Sequence, residues 1–134
     1  MGIEIRFLTR DEFNQLLTEA PDTETKNLLK IPNPYEFLIE NSLEKEGLII
    51  DNKPVYLAVL SKDKELWTVV NSNVKEQFTL FKNAKRYIKK WSDKYGMIYA
   101  TMEKVNPKNM RWTERLGFER YNETDFIITY IKRS

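Results

Sequence analysis

The sequence predicts a mixed α/β fold, and three observations carry that reading. Apolar and polar residues alternate in several short runs, the period of a half-buried strand. The long segment 74–95 instead repeats its apolar residues every three or four positions, the period of a helix. Glycines punctuate the pattern: Gly47, Gly96 and Gly117 each follow a helical pattern and precede a β-type run, where a left-handed residue ends a helix. The order that results is β-α-α-β-β-β-α-β-α-β-β. With no internal repeat, low-complexity tract or Gly/Ser linker, residues 1–134 read as a single domain.

Each element has its own signal. Ile3, Ile5 and Phe7 alternate with polar neighbours and predict a strand over 3–9. Thr9 or Asp11 caps a short helix that carries Phe13, Leu16 and Leu17 on one face. Pro21, Pro32 and Pro34 break the stretch 21–34, which leaves room for a short helix at Leu28 and Leu29. Pro34 suits the first turn of another helix, running through Phe37, Leu38 and Leu43 to stop at Gly47. Residues 47–51 and 55–60 predict two strands around the hairpin turn Asp51-Asn52-Lys53-Pro54, and 66–70 a third. In the long helix, Phe78, Phe81, Ala84, Ile88, Trp91 and Tyr95 make one apolar stripe. Lys82, Lys85, Arg86, Lys89 and Lys90 lie around and opposite it. Strands follow at 97–102, 118–121 and 126–131, the last alternating, with a short helix at 108–116 between the first two.

Composition excludes much chemistry. Of 134 residues 41% are hydrophobic and 13% aromatic, enough for a core without staples. Cysteine and histidine are both absent, so there is no disulfide framework, zinc finger, thiol nucleophile or Ser-His-Asp triad. Proton transfer is left to Asp, Glu, Lys, Tyr, backbone groups or water. Twenty-two Lys and Arg against 20 Asp and Glu give a net charge of +2, far from a nucleic-acid module. The cationic residues of the long helix, Lys94 included, therefore read as a solvated face. No run has the length or apolarity of a signal peptide or membrane span, so no membrane partner and a cytoplasmic location are expected. Nothing in the residue pattern suggests a metal site.

The most specific stretch runs from Val105 through Asn106, Pro107, Lys108, Asn109, Met110, Arg111, Trp112, Thr113, Glu114, Arg115, Leu116 and Gly117 to Phe118. It combines a cap at Asn106, Pro107 at the first helical position and Gly117 just past the helix end. Here the chain resembles the GNAT superfamily, the Gcn5-related N-acetyltransferases. Their C-terminal motif, Asn-x-x-(Ser or Asn)-x-Arg-x-x-Glu-(Lys or Arg)-Leu-Gly-Phe, is matched without a gap by Asn106, Asn109, Arg111, Glu114, Arg115, Leu116, Gly117 and Phe118. The spacing looks most like the branch that acetylates the N-termini of ribosomal proteins. The aromatic-rich form also looks like small GNAT-like proteins of tailed bacteriophages.

The resemblance implies a GNAT-like α/β fold: a central, mixed and mostly antiparallel twisted sheet of about six or seven strands flanked by about four helices. It implies acetyl-CoA as cofactor, with the pantetheine arm beside the strand at 66–71. Backbone groups around Val69 and Val70 would receive the thioester, and the segment Asn71, Ser72, Asn73, Val74 and Lys75 the pyrophosphate. Asn106 and Asn109 would face the cofactor with their amides, although a capping role for Asn106 and a solvated one for Asn109 stay open. The implied activity is direct acetyl transfer to a primary amine on a protein or small molecule, which needs no covalent intermediate. A homodimer could pair through the strand 126–131.

Two places depart from the family pattern. The glycine-rich (Gln or Arg)-x-x-Gly-x-(Gly or Ala) loop, whose backbone closes on the pyrophosphate at a helix N-terminus, is replaced by a segment without glycine. There Asn73 and Glu76 fit a self-contained capping box. The tyrosine that protonates the leaving thiolate in many members is also missing, with Trp112 and Thr113 in its helix. Tyr99 and Tyr56 are the nearest substitutes, and Glu40, Asp63 or Glu65 could act as base through water; none has a signature that assigns it. A second expectation therefore stands beside the enzyme: an inactive GNAT-fold structural or protein-binding module, such as a phage virion or head-assembly accessory or a host-directed inhibitor.

Overall fold

A computed structural model of the chain describes residues 2–20, 28–71, 74–105 and 107–134. The elements come in the predicted order: β1 (Ile3–Ile5), α1 (Arg10–Glu19), α2 (Pro34–Glu40), β2 (Ser42–Ile50), β3 (Lys53–Ser61), β4 (Leu66–Val70), α3 (Gln77–Tyr95), β5 (Met97–Glu103), α4 (Pro107–Arg115), β6 (Glu119–Glu123) and β7 (Ile127–Arg133). The strands form a four-stranded sheet, β1-β2-β3-β4, and a three-stranded sheet, β5-β7-β6. The ladders β1–β2, β2–β3, β5–β7 and β6–β7 are antiparallel. Contacts group the chain into two compact units, Met1–Lys62 with Trp67–Gln77, and Asp63–Leu66 with Phe78–Ser134. No helix among the described residues is long and apolar enough to cross a membrane.

In the first unit Thr9, not Asp11, caps α1. Its hydroxyl accepts from Glu12 N at 3.2 Å while the Glu12 carboxylate accepts from Thr9 N at 2.8 Å, a reciprocal capping box. Arg6 grips the same carboxylate through Nη1 and Nη2, at 2.7 and 2.9 Å. Those hydrogen bonds hold Glu12 down at about 2. Phe13, Leu16 and Leu17 then bury against Leu57 and Val59 of β3, together with Leu8, Leu38, Ile49 and Val69.

The second helix is shorter than its apolar pattern suggested. It opens at Pro34 as expected but ends at Glu40, and residues 42–47 join a nine-residue strand. Pairing decides this: β3 runs to Ser61, and a helix reaching Gly47 would leave its last residues without the partners that Ser42, Glu44, Lys45 and Glu46 provide. Gly47 is accordingly not a helix terminator. Its N–H and C=O pair with Arg6 across a close approach, and a Cβ there would lie 2.7 Å from the Arg6 carbonyl oxygen. The hairpin is turned by Asp51 and Asn52, both at positive φ (51° and 66°), between the paired residues Ile50 and Lys53.

In the second unit α3 buries Leu80, Ala84, Tyr87, Ile88 and Trp91. The expected stripe is thus rotated at its start: Phe78 is 74% exposed, while Leu80 and Tyr87 turn inward. Phe81 packs edge-on against Trp112 of α4 at 5.4 Å. Gly96 (φ 84°) and Gly117 (φ 95°) do end their helices in the left-handed conformation. At Gly117 the N–H of Phe118 returns to Thr113 O (3.4 Å) and that of Gly117 to Glu114 O (3.1 Å), a Schellman motif.

The two kinds of glycine respond differently to a methyl group. Gly96→Ala meets no atom within 4 Å and should lose only the left-handed strain, about 1–2 kcal/mol in chemical denaturation. Gly47→Ala should lose more, since backbone must move; the reverse ranking would refute the close approach. Acid will expose the Glu12 contact. A carboxylate whose folded pKa lies below the ordinary 4.5 stabilises above that pH and loses its contribution as pH falls toward about 2. The urea midpoint of Glu12→Gln should therefore lie below the parent at pH 6 and converge on it near pH 2 (roughly, given the carboxylates both share).

Candidate functional site

The stretch expected to receive the coenzyme starts on the last residues of β4. Val69 is buried in the first unit's core and Val70 is partly exposed. Val74 N donates to Asn71 O at 3.3 Å. Lys75 is exposed, and Gln77 Nε2 donates back to Val74 O at 2.8 Å. Ser72 and Asn73 lie outside the described residues. α3 begins at Gln77, so Glu76 stands just before the helix; the expected capping box needs Asn73 and lies outside the described residues. The first turn of α3 carries no acidic side chain, which leaves the positive end of its dipole unopposed from within the helix.

Asn71 has work within the fold. It is 2% exposed, its N–H donates to Val55 O at 3.0 Å, and its side-chain amide donates to Glu19 Oε2 at 3.0 Å. The same oxygen takes Lys53 Nζ at 3.2 Å. The last residue of α1 and the first of β3 are thereby tied to the end of β4. Sequence reasoning missed Glu19 and Lys53, because 52 positions separate Glu19 from Asn71 and neither carries a motif.

In the second unit Pro107 opens α4 as expected, while Asn106 lies outside the described residues. Asn109 is partly buried, and its carbonyl accepts from Thr113 Oγ1 at 2.8 Å. Glu114 accepts from Tyr130 Oη of β7 at 2.6 Å and from Arg120 Nη2 at 3.1 Å. Burial, reinforced by this carboxylate, pushes Tyr130 up to about 12, while the tyrosine's hydrogen bond holds Glu114 below the usual carboxylate range. Leu116 and Phe118 are buried. Four residues of the C-terminal motif, Glu114, Leu116, Gly117 and Phe118, thus serve the return from helix to sheet.

Of the proton-transfer candidates, Tyr56 is buried on β3 and Tyr99 Oη donates to Met97 Sδ at 3.0 Å. Glu65 forms an isolated parallel bridge with Tyr99. Among the described residues no group of three or more carboxylates could hold a metal ion.

No family model matches the sequence, and no curated protein is similar to it at the sequence level. Solved structures share its fold. It is similar to a GNAT-family acetyltransferase from Bacillus anthracis (TM-score 0.72, 16% identity, covering 99% of this chain and 95% of that one). It is also similar to the PaiA N-acetyltransferase of Thermoplasma acidophilum, solved in complex with coenzyme A (0.69, 15%, all of both chains). A third is the ribosomal-protein-S18-alanine N-acetyltransferase of Escherichia coli (0.66, 15%, 98% and 94%). The chain has the α/β fold of the GNAT acetyltransferases, with four helices and antiparallel sheets of four and three strands among the described residues.

The Asn71–Glu19 contact is open to test. Asn71→Ala should cost about 0.5–1.5 kcal/mol in urea unfolding, the worth of one hydrogen bond to a partly exposed carboxylate. Asn71→Asp should cost more, through carboxylate repulsion, and Glu19→Gln added to it should recover most of the loss. Equal instability of the single and double variants would deny the contact.

Proposed function

We propose that the protein is an acetyl-CoA-dependent N-acetyltransferase of GNAT type, acting by direct transfer to a primary amine. The observation that supports this most is the fold, which is shared end to end with an acetyltransferase solved with coenzyme A. What the chain offers the coenzyme here is an exposed Lys75 and a first turn of α3 without acidic side chains, with Glu76 just before it as the opposing charge. In this reading backbone groups of Val69 and Val70 receive the pantetheine and polarise the acyl carbonyl. Residues 71–75 hold the pyrophosphate, with Asn71 contributing backbone because its amide is engaged. Asn106 and Asn109 hold the pantetheine amides. Bound acetyl-CoA supplies the activated acyl group, and the chain orients an amine of a protein or small molecule toward it in the cytoplasm.

The glycine-free segment and the structural employment of the C-terminal motif favour a second reading, a GNAT-fold binding or structural module without acyl transfer. A phage virion or head-assembly accessory, or a host-directed inhibitor, is its natural form. Calorimetric titration of acetyl-CoA and CoA separates the two. Micromolar binding that Asn106→Ala weakens about five- to tenfold, the worth of one hydrogen bond, supports the enzyme. No heat at millimolar coenzyme supports the module.

A further inference from the structure

The solvent face of α3 walls a groove of about 460 Å³ within the second unit. Lys82, Lys85, Arg86 and Lys89 line it from the helix and Lys132 from β7. The four helical residues stand at i, i+3, i+4 and i+7, which stacks them on one side over roughly 10 Å at 1.5 Å per residue. Lys132 reaches the groove across the end of α4: a Cβ on Gly117 would lie 3.4 Å from its Cε, in van der Waals contact with the lysine stem. The floor is apolar, formed by the buried Ile88 and Leu116.

Charge in this groove is unbalanced. Asp93 is the one carboxylate side chain among the lining residues, and it is already 3.1 Å from Lys89 Nζ. Of the other cations, Lys82, Lys85 and Lys132 have neutral partners. Arg86 Nη2 donates to Asn83 Oδ1 at 2.9 Å and Lys132 Nζ to the Arg133 carbonyl at 2.8 Å. The ammonium groups of Lys82 and Lys85 sit over the Phe78 and Phe81 rings, at 5.4 and 5.8 Å from the centroids. Neutral partners orient a cation without cancelling its charge. Five cations to one carboxylate side chain line this groove, in a chain whose totals are 22 to 20.

We propose that the groove binds a short oligophosphate, the linked phosphates of inorganic triphosphate or of a nucleoside triphosphate. Several negative charges packed into a few ångströms match a cation stripe of this length. A nucleic-acid backbone needs a longer track, since binders of that kind make about six to ten phosphate contacts. The groove is distinct from the residues proposed for the coenzyme: it meets the chain at Leu116, just past the C-terminal end of α4 and so at the other end of that helix from Asn109, and begins on α3 at its second turn. It therefore does not rest on the acetyltransferase reading.

The test is calorimetry with the full chain and sodium tripolyphosphate, repeated with ATP, and with acetyl-CoA at saturation if it binds. The expected result is micromolar affinity for both phosphates, persisting with acetyl-CoA present. It should fall at least tenfold in the double variant Lys85→Glu/Lys89→Glu but not in Lys62→Glu, an exposed lysine of the first unit. Circular dichroism should report the same helix content for all three proteins. Absence of binding, equal affinity in the double variant, displacement by acetyl-CoA, or tighter binding of a single-stranded RNA than of tripolyphosphate would each overturn the proposal.

Discussion

β3 is buried along seven successive residues, from Pro54 to Leu60, and the first unit is arranged around that fact. A strand buried on both faces must be apolar on both and must find backbone partners along both edges. β2 and β4 supply the edges. One face, through Leu57 and Val59, packs with α1 and Leu38 of α2, each large side chain contributing on the order of 1.5–3 kcal/mol by leaving water. The direction of α1 is then held by the Thr9–Glu12 box and by Arg6. Asn71 ends β4 by bonding to Val55 at the start of β3, so the segment leading into α3 departs from a point that the buried strand sets.

The second unit turns on β7, which lies between β5 and β6. Tyr130 projects from it, fully buried, to hydrogen-bond Glu114 at the end of α4, and Arg120 of β6 reaches the same carboxylate. Three elements are pinned at one oxygen. This gives the C-terminal motif a physical meaning apart from chemistry: a helix that must stop, reverse and feed a sheet needs a left-handed glycine and buried residues on either side. Such a motif reports fold more strongly than activity, because the fold needs those residues whether or not a coenzyme is bound.

In the proposed coenzyme site, a pyrophosphate segment without glycine is a chemical question as much as a pattern mismatch. Glycine lets backbone amides approach an anion closely and take positive φ without strain. Without it, an anion has to be met by side chains and by the helix dipole; this chain offers Lys75 and the first turn of α3, with Glu76 just before that turn working against them. Lysine is a flexible point charge and holds phosphate with less geometric definition than a backbone nest. The balance between the two functional readings lies there.

Much was legible along the chain. The order of the elements, the Asp51–Asn52 turn, the helix stops at Gly96 and Gly117 and the opening of α4 at Pro107 are local matters of dihedral preference and periodicity, and neighbouring residues suffice to determine them. What the sequence determined by itself, then, is which segments become helix or strand and in what order. Tertiary structure decided the rest. It made Gly47 a point of close approach rather than a helix stop, because Arg6 lies against it and β3 demands a partner there. It turned Leu80 and Tyr87 inward in place of Phe78, a choice that two adjacent apolar rows on one helix leave open. It joined Asn71 to Glu19 and carried Lys132 across Gly117 to the cations of α3. These are contacts between residues tens of positions apart, and no periodicity within a single element encodes them.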